Sequence, residues 1–257
     1  MHHTHIDHIA GLSSPVHSMD PRIKLLTALI FVFMVVLTPE GYFASFGMYA
    51  CLLGIVILIS GIPVRYVLVR SLTIIPFALA VSFFVPFITP GPLLWKFTIG
   101  PIGAVVTTTG LIRFASLSLK ALLCFFATII LVSSTRFGDL MWAAGALGLP
   151  KKIVAVMSFM YRYLFIVIDE AAHMLLARNL RSSGRNGATM LHAAGGIVGS
   201  LFIKSFEHAE RLYQAMLLRG YTGTLVTPAL MRLSVRDVIY TCLFLGITVL
   251  GFMAGRG

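Results

Sequence analysis

The chain has 257 residues, 58% of them hydrophobic and 11% charged, with a mean hydropathy of +0.94 and a formal net charge of +11. A soluble domain carries about 25% charged residues, so this composition excludes a soluble globular protein and indicates one embedded in a membrane. The excess positive charge is no nucleic-acid footprint, because the cations are confined to a few loops and one central region.

Residues 1–19 are polar and hold His2, His3, His5, His8 and His17, with no apolar stretch of the signal-peptide kind. Imidazole suits cobalt, nickel, copper or zinc, which makes His2, His3 and His5 weak candidate metal ligands. The topology derived below places this tail in the cytoplasm, away from an incoming ion, so no metal site is assigned to the chain. Asp20-Pro21 predicts a helix start, with Asp20 as N-cap and Pro21 in the first turn. From Leu25 to Ser60 the only charge is Glu40. A helix of that length would run about 54 Å, nearly twice the hydrocarbon thickness, so two spans joined at Pro39-Glu40-Gly41 are predicted.

Gly61-Ile62-Pro63 breaks the chain again, and a third span is predicted from about Val67 to Ile88, kinked at Pro76 and Pro86. Residues 89–109, with Pro90-Gly91-Pro92 and Gly100-Pro101, read as a connecting loop. A fourth span near Leu111 to Val132 carries Lys120, whose ammonium must face protein or snorkel, as must the guanidinium of Arg113. Cys51, Cys124 and Cys242 stand singly in apolar runs and read as core or lipid-facing thiols.

Residues 136–236 differ in character, holding 12 of the 20 Lys and Arg residues. Ile153, Met157, Met160, Leu164, Val167, Ala171, Met174 and Leu175 recur at intervals near 3.5, predicting an amphipathic helix from about Pro150 to Ser182. A loop over 182–187 and a second helix from about Thr189 to Leu218 follow, softened at Gly195-Gly196 and carrying a Glu207–Arg211 pair one turn apart. Asp237 to Ala254 make the last span. The positive-inside rule agrees with five spans: Arg22, Lys24, Arg65, Arg70 and the central region fall inside, and Lys96 and Arg256 outside. The expected fold is an all-α integral membrane protein of about five transmembrane helices plus long amphipathic cytoplasmic helices. Its parts are residues 1–135 (tail and four spans), 136–236 (cytoplasmic region) and 237–257 (last span).

The two amphipathic helices end alike, on Ala177-Arg178-Asn179-Leu180-Arg181-Ser182 and on Ala215-Met216-Leu217-Leu218-Arg219-Gly220, 38 residues apart. A small residue lets the backbone turn out of a helix, and a cation there complements the macrodipole. Each ending thus presents a guanidinium able to fork onto a partner's carboxylate. No phosphate-binding Gly-x-x-x-x-Gly-Lys motif, nucleophile elbow or zinc helix is found, which argues against an ATPase or hydrolase in this chain. Asp169-Glu170 and Glu207-x-x-Glu210 read as surface salt-bridge partners.

The arrangement resembles the T component of energy-coupling factor transporters. The resemblance rests on Leu12-Ser13-Ser14-Pro15-Val16-His17-Ser18-Met19-Asp20-Pro21-Arg22-Ile23-Lys24-Leu25, Thr135-Arg136-Phe137-Gly138-Asp139-Leu140, Gly148-Leu149-Pro150, Tyr161-Arg162 and Arg219-Gly220-Tyr221. In that family the two helix ends carry Ala-Arg-Gly or a close relative, and within it the opening segment and the loop-rich 89–109 region are most similar to the cobalt-type member CbiQ. Here Leu180 and Leu218 precede the arginines, and Ser182 replaces the first Gly.

The resemblance implies a non-catalytic scaffold in a bacterial inner (cytoplasmic) membrane, with its N-terminus in the cytoplasm. Its partners would be two ATPase subunits, which bind the ATP and Mg, a CbiM-like substrate-binding membrane subunit, and lipid, with no nucleic acid and no cofactor of its own. It implies that Leu180, Arg181, Ser182, Leu218, Arg219 and Gly220 couple to the ATPases. Met157, Met160, Met174 and Leu175 would face the substrate-binding subunit, because flexible thioethers re-pack readily. The cargo would be cobalt, with nickel as the alternative. The rival readings are a conventional ABC permease with its own substrate path, which needs buried polar groups across several spans, and a membrane-embedded enzyme, which needs clustered acids or His at membrane depth.

Overall fold

The computed structural model of the chain describes residues 14–72, 75–90, 92–99, 102–181, 187–223 and 234–255. The elements in chain order are α1 (Pro21–Leu37), α2 (Phe43–Ser60), α3 (Val64–Leu72), α4 (Ile75–Ser82), α5 (Val85–Ile88), β1 (Leu93–Ile99), β2 (Ile102–Thr107), α6 (Thr108–Ser134), α7 (Phe137–Ala146), α8 (Lys151–Arg181), α9 (Gly187–Leu218) and α10 (Val235–Ala254). They divide into two units, residues 1–143 with 229–257, and residues 144–228.

In the first unit, α2, α6 and α10 are each long and apolar enough to cross a membrane. With 17 residues, α1 runs about 26 Å, the lower limit for a crossing. It starts as expected, the Asp20 carboxylate accepting from the Arg22 backbone N–H at 2.9 Å, with Pro21 in the first turn.

The expected single third span is corrected at its second proline, since α4 stops at Ser82 and α5 begins at Val85. A proline ring inside a helix collides with the carbonyl four residues earlier, and from Pro86 that carbonyl is the one of Ser82. Residues 73–74, ahead of Pro76, lie outside the described residues.

The expected loop at 89–109 is also corrected, because β1 and β2 form an antiparallel hairpin pairing Trp95 with Val106, Phe97 with Ala104 and Ile99 with Ile102. The stretch is rich in aromatic and β-branched residues, which favour the extended backbone. The fold is therefore all-α with one hairpin.

Polar groups pin the long α6 to its neighbours. Thr107 caps its first turn, accepting from the Gly110 N–H and donating to the Thr89 carbonyl at 2.8 Å. Farther along, three residues on one face of α6 take groups of the α1–α2 turn. The Arg113 guanidinium lies 2.7 Å from Glu40, Ser116 Oγ accepts from the Gly41 N–H at 3.1 Å, and Lys120 Nζ donates to the Val36 carbonyl at 3.0 Å. Lys120 thus faces protein, on the free carbonyls at the end of α1, where a cation also meets the negative end of the helix dipole. Below this level the core is apolar: Phe31 and Val35 of α1, Tyr49 and Leu52 of α2, Leu123 and Ile130 of α6, with Phe244 of α10 packed on Phe31.

At the other end of α1, the buried Lys24 donates to the carbonyls of His17 and Ser134, both at 3.0 Å. Arg22 stacks its guanidinium 4.0 Å from the centre of the Trp142 ring. The start of α10 is closed by a capping box between Ser234 and the buried Asp237. The three cysteines are free thiols.

Gly110 lets α6 touch α5, since a Cβ there would lie 2.7 Å from the Pro86 Cα. Gly110→Ala is expected to cost about 1–3 kcal/mol, because the obstacle is backbone that cannot rotate away. Gly54→Ala, which meets nothing within 4 Å, is expected to be neutral or slightly stabilising. Thermal unfolding of the two variants in detergent measures both.

Candidate functional site

The second unit is built from α8 and α9, of 31 and 32 residues. They start and end close to the predicted positions, and Gly195-Gly196 does not interrupt α9. The helices run antiparallel where they meet. The Tyr163 ring packs edge-on against His208 at 5.5 Å, and farther along α8 the Lys204 ammonium bonds the Glu170 carboxylate. The cleft at this crossing is lined by Phe159, Met160, Tyr163, Glu170, Lys204 and His208 among others. The ion pair expected between Glu207 and Arg211 is not among those formed by the described residues. Glu170 does pair, reaching across to Lys204 on the other helix.

Each arm beyond the crossing ends on one of the arginines. Helix α8 ends at Arg181, with Leu180 on its last turn 81% exposed. Helix α9 ends at Leu218, which is 90% exposed, and the chain then leaves through a two-bond turn. The Tyr221 N–H bonds the Met216 carbonyl at 3.0 Å and the Gly220 N–H bonds the Leu217 carbonyl at 2.9 Å. Gly220 has φ +80°, the left-handed conformation that makes glycine the natural residue at this position. Arg219 is thereby the C-cap, exposed at the point where the helix dipole is negative. Ser182 of the first ending and the tail residues His2, His3 and His5 lie outside the described residues.

The spacing of the two tips follows from the crossing. Each arm, from the crossing to Arg181 and from the crossing to Arg219, is about 20 Å long at 1.5 Å per residue. The five residues between α8 and α9 span at most about 20 Å, so the end of α8 stays near the start of α9. The two arginine-bearing ends therefore point away from each other, on the order of 40 Å apart.

Of the four residues expected to meet a substrate-binding subunit, Met160 and Leu175 are exposed, whereas Met157 and Met174 are half-buried. More exposed apolar surface lies on α9, where Val198, Phe202 and Phe206 are 66%, 73% and 67% exposed. Sequence reasoning passed over this row, although its four-residue spacing is a helical stripe. Among the described residues no group of three His, Cys, Asp or Glu side chains is arranged to hold a metal ion.

Residues 12–229 match the family described as cobalt transport protein, CbiQ. The chain is 27% identical to an energy-coupling factor transporter transmembrane protein EcfT of Acidaminococcus fermentans, over 82% of this chain and 81% of that protein. It is 26% identical to an uncharacterised protein of Methanocaldococcus jannaschii, over 96% of this chain and 85% of that one. It is also 25% identical to a putative fused cobalt transport protein CbiMQ of Methanocorpusculum labreanum, over 87% of this chain and 38% of the fused protein.

The crossing carries a pH dependence. The hydrogen bond from Lys204, the charge of that ammonium and, more weakly, the charge of His173 hold the Glu170 carboxyl below its ordinary value of 4.5. A carboxylate whose pKa is depressed by folding stabilises the fold above the unfolded value and loses that contribution as pH falls through the folded one. Spin labels on α8 and α9 flanking the crossing are expected to report an unchanged distance from pH 8 to 5 and a loosening below pH 4.5. Lys204→Met is expected to remove that transition.

Proposed function

The chain belongs to the CbiQ family of cobalt transport proteins, and on that premise we propose that it is the transmembrane scaffold of an energy-coupling factor importer. It joins two ATPase subunits to a separate substrate-binding membrane subunit and supplies no chemistry of its own. The observation that carries this reading is the pair of helices ending on Leu-Arg, with tips facing apart on the order of 40 Å. A single partner site would not need two such tips, whereas a pair of ATPase subunits offers one groove to each.

In this mechanism Arg181 and Arg219 each fork onto a carboxylate of one ATPase subunit, with Gly220 letting the chain turn away from the second dock. ATP and Mg bind in those subunits. Their closure on ATP draws the two tips together, and because α8 and α9 are continuous helices, the displacement reaches the crossing as a change of angle. Met157, Met160, Met174 and Leu175, together with the Phe202–Phe206 stripe, transmit that change to the substrate-binding subunit. The fused relative, whose name joins CbiM to CbiQ, supports a CbiM-like protein in that place. The cargo is a cobalt ion, with nickel as the alternative, and it is held in the neighbouring subunit.

The protein is seated in the cytoplasmic membrane of a bacterium, with its N-terminus inside and five crossings. These are α1, α2, the segment at 64–88, α6 and α10. Cysteine probes near Glu40 and Lys96 are expected to react with an impermeant reagent from outside, and probes near Arg65 and Arg185 are not. External labelling at 185 overturns the topology.

A charge-assisted fork is worth about 1.5–3 kcal/mol. Arg181→Ala or Arg219→Ala alone is expected to weaken one dock while the other holds through effective concentration. The double Ala variant is expected to lose the ATPase subunits in pull-down and to lose ATP-dependent metal uptake. Lys at both positions rescues poorly, since an ammonium cannot make the bidentate fork. A double Ala variant that assembles and transports like wild type refutes the coupling assignment.

A further inference from the structure

Helices α1, α2, α6 and α10 surround a cavity of about 210 Å³ at the end where α1 and α10 start and α2 and α6 finish. The lining takes about two turns from each, residues 24–31, 52–59, 127–134 and 240–247. The cavity thus runs about 10 Å along the bundle, a third of the hydrocarbon thickness. At the other end of the bundle α2 and α10 meet closely. A Cβ on Gly251 would stand 2.8 Å from Tyr49 Cε1, and one on Gly255 would stand 3.0 Å from Ser45 Oγ. Toward the cavity the facing residues of α10 are large, Tyr240, Leu243 and Phe244, and the polypeptide leaves the space between the helices unfilled.

The lining residues of α1 and α6 are buried or half-buried, whereas Ile55 and Ile59 of α2 and Tyr240 and Leu243 of α10 are exposed. The mouth therefore opens sideways between α2 and α10, both long and apolar enough to cross a membrane. Its rim continues into outward apolar side chains such as Leu58 and Ile239, so bilayer stands before it. Behind the mouth every lining polar side chain is already bonded. Lys24 donates to the His17 and Ser134 carbonyls, Thr27 to those of Ile23 and Lys24, Ser134 to that of Leu131 and Thr241 to that of Asp237. The lining offers a metal ion no carboxylate, imidazole or thiol. An apolar cavity of even about 150 Å³ stays dry and takes up a hydrocarbon guest. One turn before Tyr240, on the same face of α10, the exposed Arg236 sets a positive charge beside the mouth.

We propose that this groove is a phospholipid site. One acyl chain enters between α2 and α10 and lies against Ala28 and Ala127, and the phosphate meets Arg236 and the Tyr240 hydroxyl at the mouth. The chain restores the dispersion contacts that the walls of an empty cavity forfeit, and the short side chains of the two alanines leave room for its width. Apolar walls receive the hydrocarbon and a guanidinium receives the anionic headgroup, so each part of the lipid meets its complement. The site lies wholly within the first unit. It depends on the bundle being seated in a membrane and not on the coupling reading.

The test reconstitutes the full chain in phosphatidylcholine vesicles containing a fraction of the same lipid with a diazirine near the end of one acyl chain. After irradiation the label is mapped to single residues by mass spectrometry. Label is expected at Ala127, which is buried from the outer surface, as well as at outward residues such as Leu58. Ala28→Phe fills the groove and is expected to remove most of the label at Ala127 while Leu58 keeps its own. Val56→Phe fills it from the α2 wall with the same expected loss, which covers the case in which α1 does not accept the larger residue. Ala44→Phe, on the exposed surface of α2, is expected to leave the label at Ala127 at the wild-type level. Arg236→Gln is expected to weaken it, and an undiminished label there overturns the phosphate contact. If Ala127 is unlabelled in wild type, or if both filling variants keep its label, the groove holds no lipid. Label that reaches Ala127 only after deletion of residues 2–12 overturns the lipid site in favour of the chain's own tail.

Discussion

The first unit is held at one end by a buried ammonium. Lys24 is 7% exposed, and removing an unpaired charge from water costs several kcal/mol. Two backbone carbonyls, those of His17 and Ser134, accept from it. The carboxylates of Asp139, Asp237 and Asp20 add their negative charges around it. One side chain thus fastens the segment before α1 to the last residue of α6, with α7 and the start of α10 around it. These are also the elements through which the chain leaves the first unit toward α8 and returns from α9. A buried cation whose protons are taken up by carbonyls fixes these segments more definitely than apolar contact does, because its bonds are directional.

At the opposite end the same helices are stitched by weaker, more exposed contacts. Arg113–Glu40, Ser116–Gly41 and Lys120–Val36 each join α6 to the α1–α2 turn. An exposed ion pair is worth about 1 kcal/mol or less, so these contacts set register more than stability. Between the two ends the packing is apolar, centred on Phe31 and Tyr49, which meet edge to face at 5.7 Å. Outward-facing residues such as Leu58, 74% exposed, and Phe77, 71% exposed, give these helices a second apolar surface that lipid covers.

The second unit follows another logic. Its helices are long, touch at a crossing, and leave apolar rows open on both arms. The Schellman turn at Gly220 closes the second of them by satisfying its last carbonyls internally, and it leaves Arg219 exposed at a defined position.

Much of this was legible in the residues alone. Composition settles the medium, because so few charges cannot cover a water-facing surface. The helix start at Asp20-Pro21, the long helices α8 and α9, and the repeated Leu-Arg endings are all local signals, carried by caps, periodicity and small residues within a turn or two. Such signals survive in sequence because the interactions behind them join near neighbours. Tertiary structure decided the rest. Pro86 reads as a kink, but whether a helix bends or breaks at a proline depends on whether its neighbours can satisfy the freed carbonyls. The hairpin at 93–107 depends on two strands finding each other in register. That Lys24 is buried and Lys120 bonded to a carbonyl 84 residues away, and that Glu170 pairs with Lys204 and not within its own helix, are facts about which distant segments meet. No window of sequence contains both partners of such a contact, so only the folded chain displays them.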